Sequence, residues 1–146
     1  MTVDFKTLPF LCDLDDDDRE VVVAELDVLE LGPGFQIFRE GDPGDGLLWL
    51  VEGSAQAGSS RGDIVELGPG ASFGALSLVG PERRRVGLTT LTRSRVFVLR
   101  RSAYEELLRL APRAAARLLE AILADTCRLV SDTLDRLDAS GSSAAG

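Results

Sequence analysis

The groups able to do chemistry in this 146-residue chain are few in kind. It has no histidine and only two cysteines, Cys12 and Cys127, so it lacks the imidazole and thiolate sets that usually hold zinc, iron or copper. Carboxylates are plentiful, with 24 Asp and Glu against 16 Lys and Arg, yet none recurs at a spacing that converges several on one point. A barrel enzyme with a histidine-bound metal is therefore not expected, and no catalytic or metal-binding residue is assigned. The remaining chemistry is cationic. Arg83-Arg84-Arg85 opens a block, residues 82–117, with ten bases against three acids, whereas residues 1–45 carry thirteen acids against three bases. The basic block can guide an anion or an acidic partner, and the acidic one opposes nucleic acid. Both blocks also fit a solvated surface of uneven charge.

The length suits one domain with its own core, placed at residues 1–138, with residues 139–146 as a flexible small-residue tail. Leu14 through Glu25 reads as a short helix: Asp15 caps it and Asp18 stands at its third position, although Val21-Val22-Val23 is poor helix material. From Val28 to Leu99 apolar runs of four to six residues alternate with Gly, Pro and Asp punctuation, the texture of an all-β sandwich or barrel. Leu29-Glu30-Leu31-Gly32-Pro33-Gly34 returns as Val65-Glu66-Leu67-Gly68-Pro69-Gly70, a repeated corner that suggests the two halves of a jelly roll. Chance recurrence of a common Gly-Pro turn also accounts for it.

Helical signals resume at Ser102-Ala103-Tyr104-Glu105, a capping box, and Pro112 should end one helix and open the next. That last helix runs to about Leu137. Leu123, Cys127, Val130, Leu134 and Leu137, spaced 4, 3, 4, 3, form one seam that Leu119, Ile122 and Leu129 broaden. A second copy of the chain is expected to cover it, making a homodimer, with packing on the helix's own barrel as the competing account. The two cysteines read as small buried hydrophobes rather than a redox pair. The N-terminus, MTVDFKTLPFL followed by DLDDDD, lacks a leader pattern and no window is long enough to span a membrane, so a soluble cytoplasmic protein is expected.

These elements, in this order, resemble the cyclic nucleotide-binding domain family, which includes CRP/FNR-type regulators, protein kinase A regulatory subunits and cyclic-nucleotide-gated channels. The resemblance spans roughly Phe5 to Leu137. It rests on Leu8-Pro9-Phe10-Leu11 before an acid-capped helix, Glu40-Gly41-Asp42-Pro43 with Leu48-Trp49-Leu50-Val51-Glu52-Gly53, Leu67-Gly68-Pro69-Gly70 leading to Phe73-Gly74, and the closing helix pair. It implies a double-stranded β-helix or jelly-roll barrel with an N-terminal helix and a long C-terminal helix. It also implies a phosphate-binding cassette, here Phe73 to Gly87, in which N–H groups at Gly74, Ala75 and Leu76 cradle a phosphate and an arginine opposes it. Arg85 matches the phosphate arginine, and Arg84, one register away, is its substitute.

The cassette departs from the family pattern. Ala75 stands where a glutamate accepts the ribose hydroxyl, and Val86 and Gly87 replace the usual small or hydroxyl residues. Losing a charge-assisted bond of about 1.5–3 kcal/mol weakens binding by roughly one to two decades. The expectation is a stand-alone, non-enzymatic regulatory or interaction module with a degenerate pocket, weak or absent cAMP and cGMP binding, and no obligatory cofactor. The alternative is a working cyclic-nucleotide receptor that signals to a separate effector protein through its C-terminal helix. Only nine residues follow Leu137, so no helix-turn-helix is expected and the partner is read as a protein, with no direct nucleic acid and no membrane.

Overall fold

The computed structural model describes residues 9–12 and 14–145. Residues 1–8, which include the leader reading and Leu8, together with Asp13, Gly146 and the side chains of Pro9, Phe10, Thr126, Arg128, Leu129 and residues 140–145, lie outside the described set. The chain forms helix α1 (Pro9–Cys12), helix α2 (Asp16–Ala24), and strands β1 (Asp27–Leu31), β2 (Gln36–Phe38), β3 (Pro43–Gly44), β4 (Gly46–Glu52), β5 (Ala55–Gly58), β6 (Ile64–Leu67) and β7 (Ser72–Phe73). A 3-10 turn (Ala75–Leu78) follows, then β8 (Glu82–Arg83), β9 (Gly87–Thr90), β10 (Ser94–Arg100), α3 (Arg101–Leu110) and α4 (Pro112–Ala145).

The jelly-roll barrel, or double-stranded β-helix, expected from the sequence does not form. The described strands pair into two open antiparallel sheets, ordered β1-β10-β4-β7 and β2-β9-β5-β6, plus the pair β3-β8. A barrel needs one ladder that returns to its own first strand. Here β2, β3, β7 and β8 are only two or three residues long, and glycines with positive φ at 34, 41, 70 and 74 turn the chain before a ladder can extend. The result is a mixed domain of antiparallel sheets with flanking helices. The repeated corner is present at both places: Gly34 and Gly70 have φ of 75° and 98°, following β1 of one sheet and β6 of the other.

Strand β4, Gly46-Leu47-Leu48-Trp49-Leu50-Val51-Glu52, is buried at every position but the last, because both of its faces are covered. Leu47, Trp49 and Val51 join Phe97 and Leu99 of β10 against the helices. Leu48 and Leu50 join Val96 and Val98 against Ala55, Ala57 and Leu88 of the second sheet. Register places Trp49 opposite Phe97 and Leu48 opposite Phe73. The layers are thus helices, first sheet, second sheet.

Helix α2 begins as read, with Asp18 N–H donating to the Asp15 carboxylate at 2.8 Å; Val22 is buried, and tertiary packing outweighs its poor helix propensity. The capping box at Ser102 does not form. Helix α3 starts at Arg101 with Arg100 as a cap whose side chain makes no capping bond, because β10 runs directly into it and Arg101 N–H is taken by the Asp45 carbonyl at 2.6 Å. In α4, Ala114, Ala115, Leu118, Ala121 and Ile122 are buried; enclosing a side chain such as Leu118 contributes about 1.5–3 kcal/mol. The helix packs on α1, α2 and α3, and beyond Ile122 its described apolar side chains are no longer covered. Leu123, Val130, Leu134 and Leu137 are 53–61% exposed, and α4 continues past Leu137 to Ala145. Both cysteines are exposed rather than buried, Cys127 because it lies on this uncovered part of α4. No described helix is long and apolar enough to cross a membrane.

Candidate functional site

The site is built around Arg84. Its backbone follows β8 and is fastened to the preceding corner: Arg84 N–H donates to the Asp42 carbonyl at 2.8 Å, and Gly41 N–H donates to the Arg84 carbonyl at 2.7 Å. That corner is a β-turn closed by Asp42 N–H donating to the Arg39 carbonyl at 3.1 Å, with Arg39 N–H donating back to the Asp42 carboxylate at 2.9 Å. Held this way, the Arg84 side chain runs inward and is 7% exposed. Its Nη2 donates to the Gly46 carbonyl at 3.0 Å, and its guanidinium lies 4.7 Å from the centre of the Phe38 ring. Phe38 in turn meets Phe73 edge to face, with ring centres 6.0 Å apart.

Two glycines make the space. A Cβ on Gly74 would stand 2.0 Å from Arg84 Nη1 and 2.6 Å from the Gly46 carbonyl oxygen, and Gly74 has φ of +86°. A Cβ on Gly44 would stand 2.4 Å from Ser77 Oγ and 3.3 Å from Arg84 Cζ. Side chains at either position would displace the arginine.

Burial lowers the Arg84 pKa from its ordinary value, while Glu82, Asp45 and Asp42 act in the opposite direction. An arginine remains charged in proteins all the same. Its Nη1 is buried and makes no hydrogen bond among the described residues. Buried donors are normally satisfied, and a charged one left without an acceptor costs free energy.

Two cavities of about 570 Å³ each meet at this residue. One is lined by Glu40, Gly41, Ser59, Arg61 and Asp63 with Arg84 and Arg85. Glu40 accepts from Ser60 N–H at 2.8 Å and from Ser60 Oγ at 3.2 Å, which ties the β5–β6 hairpin to the corner. The other cavity lies over the 3-10 turn, between Leu76, Val79 and Gly80 on one side and Pro81 to Arg85 on the other.

The residues singled out in the sequence are thus partly gathered. Gly74 faces Arg84, Ala75 is half-buried against the core below the helices, and Leu76 is exposed. Arg85 is exposed at the rim of both cavities, and Val86 packs with the core between the sheets. Leu123, Cys127, Val130, Leu134 and Leu137 lie on α4 and do not line either cavity. Sequence reasoning missed Phe38, Gly44, Gly46 and Arg101. The stretch Gly41-Asp42-Pro43-Gly44-Asp45-Gly46 reads as turn punctuation and, through Pro43, as part of the family resemblance, but glycines at 44 and 46 also signal close approach of another group. Arg101 carries no local signal, because its partners lie more than twenty residues earlier. Among the described residues no group of three or more His, Cys, Asp or Glu could hold a metal ion.

Residues 28–110 match the family model for the cyclic nucleotide-binding domain. The CRP-like cAMP-activated global transcriptional regulator of Mycobacterium tuberculosis is 29% identical over 118 residues, which cover 77% of this chain and 52% of that protein. A cAMP-dependent protein kinase regulatory subunit from Colletotrichum orbiculare is 31% identical over 105 residues, covering 70% of this chain and 27% of that protein. The chain therefore spans about half the length of the first relative and about a quarter of the second. Among solved structures, the N-terminal domain of a transcriptional regulator from Streptomyces coelicolor A3(2) is similar with a TM-score of 0.69 and 31% identity, covering 86% of this chain and 91% of that one. A cyclic nucleotide-binding domain from Methylobacillus flagellatus shares the fold, with a TM-score of 0.78 at 21% identity, covering 90% of this chain and 81% of that one.

Proposed function

The chain belongs to the cyclic nucleotide-binding domain family, a class of non-enzymatic signalling modules, and from that premise we propose that it is a nucleotide receptor in which Arg84 takes the phosphate. The observation that carries this reading is the buried guanidinium whose Nη1 has no hydrogen-bond partner among the described residues, held by Gly46 and Phe38 in a residue that borders both cavities. An anion there would satisfy the donor and offset the cost of burying the charge, with two N–H groups able to face two phosphate oxygens. Gly74 lies against the guanidinium, and Leu76, Val79 and Gly80 form the far wall of the cavity over the turn. The named relatives make cAMP the natural first ligand to test.

The degenerate-pocket reading is the less supported of the two, and Ala75 is what favours it. Its methyl group packs toward the helices and offers no acceptor for a ribose hydroxyl, so affinity should fall by about one to two decades relative to a pocket that has one. Occupancy would reach a partner protein through α3, which packs against the 3-10 turn and β10, and then through α4, which packs on α3. The exposed seam from Leu123 to Leu137 would be covered by a second copy, giving a homodimer. Amide hydrogen exchange tests the relay. Adding cAMP should slow exchange at residues 74–85 and at 112–122 in the wild-type chain and in neither segment of Arg84→Gln; protection confined to 74–85 would refute transmission to α4.

A further inference from the structure

The 3-10 turn has a carbonyl problem set by its own sequence. Each carbonyl of such a turn needs a donor three or four residues on. For Ser77 those donors would be Gly80 and residue 81. Gly80 N–H is already used by the Leu76 carbonyl at 3.1 Å, which also accepts from Val79 N–H at 3.1 Å. Residue 81 is proline and has no N–H. Ser77 is fully buried, so its carbonyl must find a partner elsewhere.

Arg101, the first residue of α3, supplies it. Its Nε donates to the Ser77 carbonyl at 2.8 Å, and its Nη2 donates to the Gly80 carbonyl. Its own backbone is pinned by the bond to Asp45 described above. One rigid fork therefore holds both carbonyls at the end of the turn whose other end, at Gly74, faces Arg84. A lysine, with a single ammonium point, matches two spaced carbonyls poorly. Leu78 and Ala75 press into the same cluster as Tyr104 and Leu107 of α3, so the fork adds a polar tie to an apolar contact between turn and helix.

We infer that Arg101 is the positioning residue of the cassette: by serving the Ser77 and Gly80 carbonyls it sets the turn against α3 and so fixes the wall that faces Arg84. The inference rests on the reading of that wall as ligand-contacting, but its first test uses no ligand. In the nucleotide-free full chain, Arg101→Gln should speed exchange of the Ser77, Val79 and Gly80 amides at least tenfold while β4 and β10 exchange at wild-type rates. Arg101→Lys should recover only part of the protection. Unchanged exchange in the turn, or an equal rise in β4 and β10, would overturn the inference. Pro81→Ala gives residue 81 an N–H for the Ser77 carbonyl, so Arg101→Gln with Pro81→Ala should regain slow exchange relative to Arg101→Gln alone; no regain would contradict the assignment. Calorimetric titration with cAMP is the second readout. Binding to Arg101→Gln at least tenfold weaker than to wild type supports the positioning role, and equal affinity refutes it. Absence of binding to the wild type would sink the receptor reading, and the exchange result would then decide on Arg101 by itself.

Discussion

Replacing Gly74 by alanine separates two costs that the structure places at one residue. The first is conformational: φ of +86° is the left-handed region, where a Cβ costs about 1–2 kcal/mol. The second is steric, since the new methyl would stand 2.0 Å from Arg84 Nη1 and 2.6 Å from the Gly46 carbonyl. Only the arginine tip can yield, and its retreat breaks the Arg84–Gly46 bond; forcing an extra carbon into a packed site adds about 1–3 kcal/mol. Gly74→Ala should therefore lose about 2–5 kcal/mol. Gly70→Ala is the control, with φ of +98° and nothing within 4 Å of the added Cβ, so it should lose only the conformational part, about 1–2 kcal/mol. Equilibrium urea unfolding reads both. With a slope of about 1–3 kcal/mol per molar, the Gly74 variant's midpoint should fall well below that of Gly70→Ala. In an Arg84→Ala background the gap should narrow but not close, because the Gly46 carbonyl remains. Equal losses from the two glycine substitutions would refute the claim that Gly74 is glycine to make room for Arg84.

Two further outcomes follow from other parts of the molecule. Tyr104 is the only tyrosine, and its burial raises the phenol pKa above the ordinary value. The folded chain thus holds that proton more tightly than the unfolded chain. The resulting stability is fully present below about pH 10 and lost as pH rises through the folded pKa. Absorbance at 295 nm should show a higher titration midpoint in the folded than in the urea-unfolded chain, and coincident midpoints would contradict this. On α4, a Cys12→Ser chain should cross-link through Cys127 under mild oxidation, and adding Leu134→Glu should prevent it, because that charge would be buried in the seam of a two-fold dimer. Cross-linking indifferent to Leu134→Glu would show random encounters of an exposed thiol.

What the sequence made legible were features governed by near neighbours. Asp15 and Asp18 are three residues apart and their capping bond forms. Pro112 opens α4 because proline suits a first turn, and the Gly-Pro-Gly corners take the positive φ that glycine allows. Sheet closure was not legible, because it depends on which distant edges find each other; a repeated corner is compatible with two open sheets. The Ser102 capping box failed for a related reason. Ser102 and Glu105 have the right spacing, but the helix begins one residue earlier, where a distant carbonyl at Asp45 and two in the cassette claim Arg101. At the site, three consecutive arginines are locally indistinguishable. Their different surroundings come from the pairing of β8 with β3, Pro43 opposite Arg83 and Gly44 opposite Glu82, which carries the following residue inward. Gly44 and Gly74 then leave room for its guanidinium.

The central claim, that Arg84 is the anchor for an anionic nucleotide, is tested most directly by calorimetric titration of cAMP into the wild-type chain, Arg84→Gln and Arg85→Gln. The account predicts saturable binding to the wild type, loss of at least tenfold in affinity in Arg84→Gln, and near wild-type affinity in Arg85→Gln. No heat with the wild type, or equal affinity in wild type and Arg84→Gln, would contradict it.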